Sequence, residues 1–269
     1  MNFKDILIIK VGTSTLTKVN AVGERVIDND SFKQIGEQVK ELRQKGHGII
    51  IVSSAAISGG MAHVGMTKRP DKNTAMPELQ RLASIGWRHV LNCWADALTG
   101  LVVGELLVTK SELGARKREA GELMRVMHVL LSHGDIAVAN ENDAITHSEI
   151  TFGDNDTLAA HIAVKIKRSS LFDCDVRLFL LSDVDGVYAD VNDSGSVIST
   201  IENIDAYMHL AGRTKSSTGT GGMETKFAAA VIALESGIEV WIGNGRCDKV
   251  ISHMLDRTSG TYFMPQVLS

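Results

Sequence analysis

Apolar residues recur with two different periods along this chain, one typical of buried strands and one typical of amphipathic helices. Residues 6–11 form an aliphatic run interrupted only by Lys10, which predicts a strand buried on both faces with the lysine at its carboxyl end. From Ser31 to Gly46 apolar residues recur at helical spacing, and the glycine is a stop signal, so an amphipathic helix is expected there. Residues 48–52 predict the next buried strand.

The same alternation continues along the rest of the chain. Further strands are predicted at 102–108, 136–139, 177–181 and 238–242, helices at 78–97, at 123–131, after Asp156 and after Gly222, and a hairpin near 192–195. Strands that alternate with helices at this spacing indicate a mainly parallel sheet covered on both faces. We therefore expect one α/β domain over residues 1–269, with ligands at the carboxyl ends of the strands.

Composition and charge exclude several classes of protein. Hydrophobic residues make up 44% and charged residues 22%, as in ordinary globular chains, which excludes disordered and fibrous proteins. The net charge of -4 provides no global positive field, so we expect no nucleic-acid partner. Cys93, Cys174 and Cys247 form no CxxC pair, and no apolar run reaches the roughly 18 residues of a membrane span. A cytoplasmic location without a membrane partner is the expectation.

The first cluster with candidate chemistry is a glycine-rich segment, residues 219–226, just before a predicted helix. Backbone amides and Lys226 at a helix start favour phosphate binding. The segment is not a P-loop, because Thr225 precedes the lysine and phenylalanine follows it, and Glu224 stands where a dinucleotide fingerprint needs glycine. A flexible glycine turn that caps a helix is the alternative for this segment alone.

Three further polar segments lie at predicted turns. Residues 140–143 and 153–156 pack amides and carboxylates so densely that they must face water, a metal, or a ligand with ammonium and carboxyl groups. Neither has the spacing of an EF-hand calcium loop, and solvated turns are the alternative. Ser182 and Asp183 end a predicted strand and fit either a binding site or a turn. The nine histidines show no paired ligand spacing, so we expect no catalytic zinc and no dedicated metal ligands.

Taken in this order, the clusters resemble the amino acid kinase family, most closely its members that phosphorylate glutamate. The most specific matches are residues 140–144, 152–156 and 219–226, and the resemblance extends from Ile6 to about Gly245. It implies a three-layer α/β/α sandwich in which the N-terminal half binds glutamate and the C-terminal half binds ATP with Mg²⁺. It also implies transfer of the γ-phosphoryl group of ATP to the side-chain carboxylate of glutamate, the first step towards proline. Many relatives append a PUA domain, which we do not expect here.

The resemblance also implies a role for each matching residue. Lys10 and Lys226 would contact the phosphates and Asp156 would orient both lysines, so these three are the expected catalytic residues. Glutamate would be held by Ser54, Asp143 and Asn155. The nucleotide would contact Lys10, Ser182, Asp183, Thr220, Gly221, Gly222, Met223, Glu224, Thr225 and Lys226.

Several positions depart from the family pattern, including the segments 119–122 and 165–175. Ala55 stands where the family usually has glycine, and Trp87 stands where glutamine is common. The resemblance further implies a homo-oligomer, either a dimer or a tetramer, and proline as a feedback inhibitor. Two alternatives remain open: a sibling kinase acting on another small acid or phosphate, and a nucleotide-binding protein of the same fold without catalysis.

Overall fold

A computed structural model describes residues 3–71, 74–113, 117–145, 154–212 and 222–265. The strands are β1 (Asp5–Val11), β2 (Thr17–Val19), β3 (Arg25–Ile27), β4 (Gly48–Ser53), β5 (Val103–Val108), β6 (Ile136–Glu141), β7 (Asp175–Ser182), β8 (Thr200–Ile201), β9 (Glu239–Asn244) and β10 (Thr261–Phe263). The helices are α1 (Thr13–Leu16), α2 (Asn29–Gln44), α3 (Ala56–His63), α4 (Met76–Ala97), α5 (Lys110–Leu113), α6 (Lys117–His133), α7 (Asn155–Lys167), α8 (Met208–Ala211), α9 (Met223–Leu234) and α10 (Val250–Leu255).

An eight-stranded sheet in the order β5-β6-β4-β1-β7-β9-β10-β8 forms the centre of the fold. Strands β5, β6, β4, β1, β7 and β9 are parallel, β10 pairs antiparallel with β9, and β8 is parallel to β10. In this register Lys10 of β1 lies between Val52 of β4 and Leu180 of β7. The strands β1, β4, β6, β7 and β9 therefore end along one border of the sheet, called the carboxyl edge below. The predicted mainly parallel sheet is confirmed.

The core lies on both faces of this sheet, which explains why the central strands are almost continuously apolar. Ile6 and Ile8 of β1 pack with residues of α6, α7 and α9, whereas Leu7 and Ile9 pack with residues of α2, α4 and α10. All four side chains are fully buried. Helices on both faces of one sheet give the expected three layers. Among the residues that the structure describes, no helix has the length and apolarity needed to cross a membrane.

Helix α3, which leads away from the end of β4, is held by a close glycine crossing with α4. A Cβ atom on Gly86 would lie 1.9 Å from the carbonyl oxygen of Ala56, and one on Gly60 would lie 2.0 Å from that of Leu82. Only glycine permits this approach of two helix backbones. Ala55, immediately before α3, has a φ of 81° in the left-handed region that favours glycine. The fixed crossing therefore accompanies a strained turn at the carboxyl edge.

Several elements differ from the sequence predictions. Helix α7 begins at Asn155, so the prediction that it follows Asp156 was wrong by two residues. The hairpin of β2 and β3, the short helix α3 and the strand β10 were not predicted. The turn predicted near 192–195 is confirmed, because Tyr188 and Val197 form an antiparallel bridge on either side of it. Trp87 belongs to the core and donates its indole N–H to Glu105 of β5.

Candidate active site

Two lysines share one carboxylate at the carboxyl edge. Lys10 near the end of β1 places Nζ 2.5 Å from Oδ1 of Asp156, and Lys226 of α9 places Nζ 3.3 Å from Oδ2 of the same residue. The exposed fractions are 4% for Lys10, 4% for Lys226 and 0% for Asp156. The residues come from three distant segments of the chain and meet because β1, α7 and α9 converge here. The bridge carries a net positive charge in a site largely removed from water.

Burial and mutual charge act in opposite directions on these groups. Burial lowers the pKa of Lys10, and the neighbouring ammonium of Lys226 lowers it further, while Asp156 counteracts both. Burial alone would raise the pKa of Asp156, but the two lysines outweigh it and hold the pKa well below its usual range. Asp156 is therefore ionised at neutral pH, as a group that fixes two ammonium groups must be.

Helix α9 presents an uncapped start next to this bridge. Its N-cap residue is Gly222, which supplies no side-chain cap, so within the described residues the first backbone N–H groups, at Met223 and Glu224, have no side-chain acceptor from the cap position. Thr225 Oγ1 lies 2.8 Å from Asp156 Oδ2 and 2.9 Å from the Gly222 carbonyl oxygen, and its single proton can serve one of them at a time. Backbone N–H groups at a helix start beside two ammonium groups form an arrangement suited to anions.

Asp154 caps the other helix that points at the site. Its Oδ1 accepts hydrogen bonds from the backbone N–H groups of Asp156, at 2.6 Å, and Thr157, at 3.0 Å. Burial and the nearby charge of Asp156 raise the pKa of Asp154 to about 6. The cap fixes the first turn of α7 and therefore the position from which Asp156 reaches the two lysines.

Asn155 ties the ends of two strands together. Its Nδ2 lies 3.1 Å from the carbonyl oxygen of Ser53, 3.1 Å from Oγ of Ser54 and 2.9 Å from Oδ1 of Asn140, and its Oδ1 accepts from the backbone N–H of Glu141. An amide nitrogen has two protons, so these three acceptors share them. Ser54 and Asn155, both predicted to bind the substrate glutamate, therefore lie in direct contact next to the ends of β4 and β6.

Asp143 lies in the same group. Asn140 Nδ2 donates to Asp143 Oδ2 at 3.4 Å. Burial lowers the pKa of Arg69, which belongs to the segment between α3 and α4. The charge of Asp143 opposes this shift in part. The N-terminal half thus combines a carboxylate, a guanidinium, an amide and a hydroxyl, which match the ammonium and carboxylate groups of an amino acid.

Ser182 and Asp183 lie where β7 ends, beside the end of β9. Ser182 Oγ donates to Asp183 Oδ1 at 3.1 Å, and the Ser182 carbonyl oxygen accepts from the backbone N–H of Gly245. Ser182 is buried and Asp183 is exposed. Thr220 and Gly221, also predicted to contact nucleotide, lie outside the described residues. In the described part of the chain, no group of three or more His, Cys, Asp or Glu side chains could hold a metal ion.

Sequence reasoning missed three contributions to this site. Asp154 was not assigned a role, although an aspartate followed by a polar helix start is a capping signal. Asn140 was identified only as part of a polar run, and its contact with Asn155 joins elements that are distant in sequence. The hydrogen bond between Thr225 and Asp156 had no sequence signal, because it depends on how α7 and α9 pack.

The fold and this bridge place two ammonium groups at the carboxyl edge of a three-layer α/β sandwich. The sequence profile described as "Amino acid kinase family" matches residues 5–244. The chain belongs to the amino acid kinase family, and the resemblance identified from the three polar runs is confirmed.

The chain is similar to several curated proteins and to solved structures. The chain is 36% identical over 267 residues to Glutamate 5-kinase of Clostridium acetobutylicum, covering 97% of this chain and 94% of that protein. It is 36% identical to Glutamate 5-kinase of Vibrio vulnificus, covering 96% of this chain and 66% of that protein. A UMP kinase from Bacillus anthracis has a TM-score of 0.64 at 14% identity, covering 99% of this chain and 98% of that chain. An isopentenyl phosphate kinase has a TM-score of 0.62 at 17% identity, covering 96% of this chain and 100% of that chain. These two structures are similar in fold.

Proposed function

We propose that this chain transfers the γ-phosphoryl group of ATP to the side-chain carboxylate of L-glutamate and forms L-glutamyl 5-phosphate. The observation that carries the proposal is the buried bridge of Lys10, Asp156 and Lys226 at the carboxyl edge. The relatives named Glutamate 5-kinase support the choice of acceptor, because the chain covers nearly all of the Clostridium protein.

The reaction needs charge neutralisation and positioning but no general base. The carboxylate of glutamate is already ionised at pH 7, so an oxygen of this group attacks the γ-phosphorus directly. The new bond joins that oxygen to phosphorus, while the bond from phosphorus to the β,γ-bridging oxygen breaks and its electron pair leaves with ADP. The obstacle is the approach of one anion to another.

The two buried lysines meet this obstacle from opposite sides of Asp156. Lys10 and Lys226 stabilise negative charge on the transferring and leaving oxygens, and Asp156 keeps both ammonium groups in place. Because the site excludes water, each ammonium group acts more strongly on the phosphates than it would in solution. Gly12 follows Lys10 closely, and a Cβ there would lie 3.5 Å from Nζ, so a larger residue would narrow the space next to the ammonium group.

The residues of the C-terminal half fit a nucleotide. The uncapped start of α9, from Gly222 through Met223, Glu224 and Thr225, would hold phosphate oxygens through backbone N–H groups. Ser182 and Asp183, at the end of β7, would border the adenosine. Mg²⁺ would enter with the nucleotide and neutralise charge on its phosphate oxygens, a role that needs few protein ligands.

The residues of the N-terminal half fit glutamate. Asp143 would pair with the substrate ammonium group, and Ser54 and Asn155 would donate to a carboxylate. For Asn155 this requires exchange of one contact with Ser53, Ser54 or Asn140 for a contact with substrate. Proline as an inhibitor at the same residues, a homodimer or homotetramer, a cytoplasmic location and the absence of a nucleic-acid partner complete the proposal.

A substrate panel in the presence of hydroxylamine tests the proposal. Hydroxylamine converts an acyl phosphate to a hydroxamate, so glutamate should give ATP-dependent hydroxamate whereas uridylate and acetylglutamate should not stimulate ATP turnover. If turnover rises with uridylate or acetylglutamate and not with glutamate, the chain is a sibling kinase. If no acceptor stimulates turnover although ATP binds, the chain is a nucleotide-binding protein without this activity.

A further inference from the structure

A short helix, α1, borders the catalytic lysine of β1. It begins at Thr13 and contains only four residues. A Cβ atom on Gly12 would lie 3.5 Å from Nζ of Lys10 and 3.8 Å from Oγ of Ser14, so the start of α1 lies beside the ammonium group. A helix of one turn is not stable in isolation, and the last carbonyl groups of a helix have no partners within it. The position of α1 therefore depends on contacts from outside the helix.

Arg246, from the other half of the chain, supplies such contacts. Its Nη2 donates to the carbonyl oxygen of Ser14 at 2.6 Å and to that of Thr17 at 2.7 Å, and its two protons can serve both acceptors. Its Nη1 lies 3.6 Å from Oδ2 of Asp28, and its own carbonyl oxygen accepts from Nε2 of Gln34 at 3.2 Å. The guanidinium thus caps the end of α1 across 232 residues of sequence.

The loop that carries Arg246 is fixed to the nucleotide side of the carboxyl edge. This loop follows β9, and the backbone N–H of Arg246 donates to Oδ1 of Asn244 at 3.0 Å. The backbone N–H of Gly245 donates at 2.8 Å to the carbonyl oxygen of Ser182, which we expect to border the adenosine. A Cβ atom on Gly245 would lie 2.7 Å from Cγ2 of Thr15, so α1 packs directly on the loop. The loop therefore joins α1 to the strand end beside the nucleotide.

Phosphoryl transfer requires the ammonium group of Lys10 and the nucleotide to be held in one geometry. We propose that Arg246 is a positioning residue for this reaction. By capping α1 against the loop after β9, it fixes the wall beside Lys10 relative to the nucleotide. Its hydrogen bonds and its ion pair with described residues go to Ser14, Thr17 and Asp28 rather than to the reacting groups, so it acts through α1. The role rests on the proposed kinase function.

The variant Arg246→Met tests the role in the hydroxamate assay with ATP and glutamate. We expect kcat to fall by about tenfold to a hundredfold, because a displacement of about 1 Å that originates away from the chemistry can cost about 10² in rate. The KM for glutamate should stay within about twofold, since β1 and β7 separate β9 from the strands whose ends hold this substrate. Circular dichroism and the melting temperature show whether the variant is folded.

Arg257→Met is the matched control. Arg257 is exposed to a similar degree, 54% against 41% for Arg246, and it also pairs with a carboxylate, that of Glu239, at the opposite border of the sheet. Its kcat should stay within about twofold of that of the unchanged chain, as for a neutral surface change. An equal fall of kcat in both variants assigns the effect to general loss of an ion pair and overturns the proposal. A fall in Arg246→Met alone, at a similar melting temperature, supports it.

Arg246→Lys separates the two-carbonyl cap from charge alone, and it serves as the test if Arg246→Met does not fold. Lysine keeps the positive charge but lacks the planar fork that reaches two carbonyl groups. A kcat at the level of Arg246→Met, or between it and the unchanged chain, supports the cap. A kcat within about twofold of that of the unchanged chain shows that charge is sufficient and overturns the proposal.

The unchanged chain separates this proposal from the proposed function. If it forms no hydroxamate from glutamate and ATP, the proposed function fails and the positioning role fails with it. If the unchanged chain is active and Arg246→Met retains kcat within about twofold, only the positioning role is overturned. A fall in Arg246→Met that appears entirely in the KM for glutamate, with kcat unchanged, also overturns it, because such a change places Arg246 in acceptor binding.

Discussion

The two ends of strand β1 carry buried charge in opposite arrangements. At the carboxyl end two ammonium groups, of Lys10 and Lys226, share the single carboxylate of Asp156, and all three residues are nearly inaccessible to water. At the amino end one guanidinium, of Arg177, is shared by the two carboxylates of Asp5 and Glu239. Further donors from His47, Arg257 and Tyr262 complete that second network.

The difference indicates which of the two charge networks is suited to binding a ligand. Within the bridge two buried ammonium groups share one carboxylate, so the carboxyl edge is organised for a ligand that arrives with negative charge. At the amino end the carboxylates of Asp5 and Glu239 are neutralised within the protein, and the ammonium groups of Lys4 and Lys45 lie exposed to solvent. Tight anion binding is therefore expected at the carboxyl edge.

The largest expected effect is on catalysis at the carboxyl edge. Replacing Lys10 or Lys226 with alanine should lower kcat by about 10²–10³, the range for removal of one preorganised donor, while ATP binding weakens less. Steady-state kinetics and nucleotide titration measure the two effects separately. Lys33→Ala, a change on the exposed face of α2, should stay within about twofold, as expected for a neutral surface substitution. Near-normal turnover in both single variants, with intact circular dichroism, would contradict the mechanism.

The next effect concerns stability at the same edge. Asp156→Asn removes the carboxylate that contacts both Lys10 and Lys226, so the free energy of unfolding should fall by about 3 kcal/mol at pH 7. Burial already lowers the pKa of Lys10 below its ordinary 10.5, so the loss should shrink at high pH, where this lysine becomes neutral in the variant. Urea denaturation at several pH values measures this. A loss that is independent of pH would exclude the charge imbalance as its cause.

A smaller effect is expected for the cap of α7. The pKa of Asp154 is about 6 in the folded chain against 3.8 for the unperturbed group, so the folded chain holds the proton more tightly between these values. Ionised Asp154 therefore costs stability at pH 7, and this cost disappears as the pH falls from about 6 towards 3.8. Relative to Asp154→Asn, the unchanged chain should gain on the order of 1–2 kcal/mol between pH 7 and pH 4. Parallel stability curves for the two proteins would contradict this shift.

The smallest effect is expected at the amino end. Glu239→Gln removes one charge from a partly exposed ion pair, in which the exposed side-chain fraction is 27% for Glu239 and 28% for Arg177. Asp5 still neutralises Arg177 in this variant, so the loss should be about 1 kcal/mol or less and should decrease further in about 1 M salt. Urea denaturation at low and high salt measures it. A loss as large as that of Asp156→Asn would show that the two edges are equivalent.

The main elements of the fold could be predicted from the sequence because their apolar patterns are strong. Strand β1 and helix α2 follow the pattern of buried residues closely. Helix α3 could not be predicted, because its adjacent glycines, Gly59 and Gly60, resemble a turn in sequence and serve a helix crossing in the structure. Strand β10 is short and gains its place from pairing with β9, which local sequence does not encode.

The site could be predicted only in part. Each of Lys10, Asp156 and Lys226 has an ordinary explanation when taken alone, and only the resemblance placed them together. The shared carboxylate depends on tertiary contacts between β1, α7 and α9, which single-sequence patterns do not contain. The network of Asp5, His47 and Arg177 had no sequence signal either, since its members come from the starts of separate strands.

The central position of β1 has a consequence for the synthesis of this protein. Strand β1 leaves the ribosome before both of its neighbours, and it pairs on one side with β4, where Ile6 is opposite Gly48, and on the other with β7, where Asp5 is opposite Asp175. Until residues 175–182 have emerged, the nascent chain can complete only one side of β1. An uncovered strand of this apolar character is a template for wrong pairing with other chains. Protection by a chaperone during translation of the second half would therefore raise the yield of native protein.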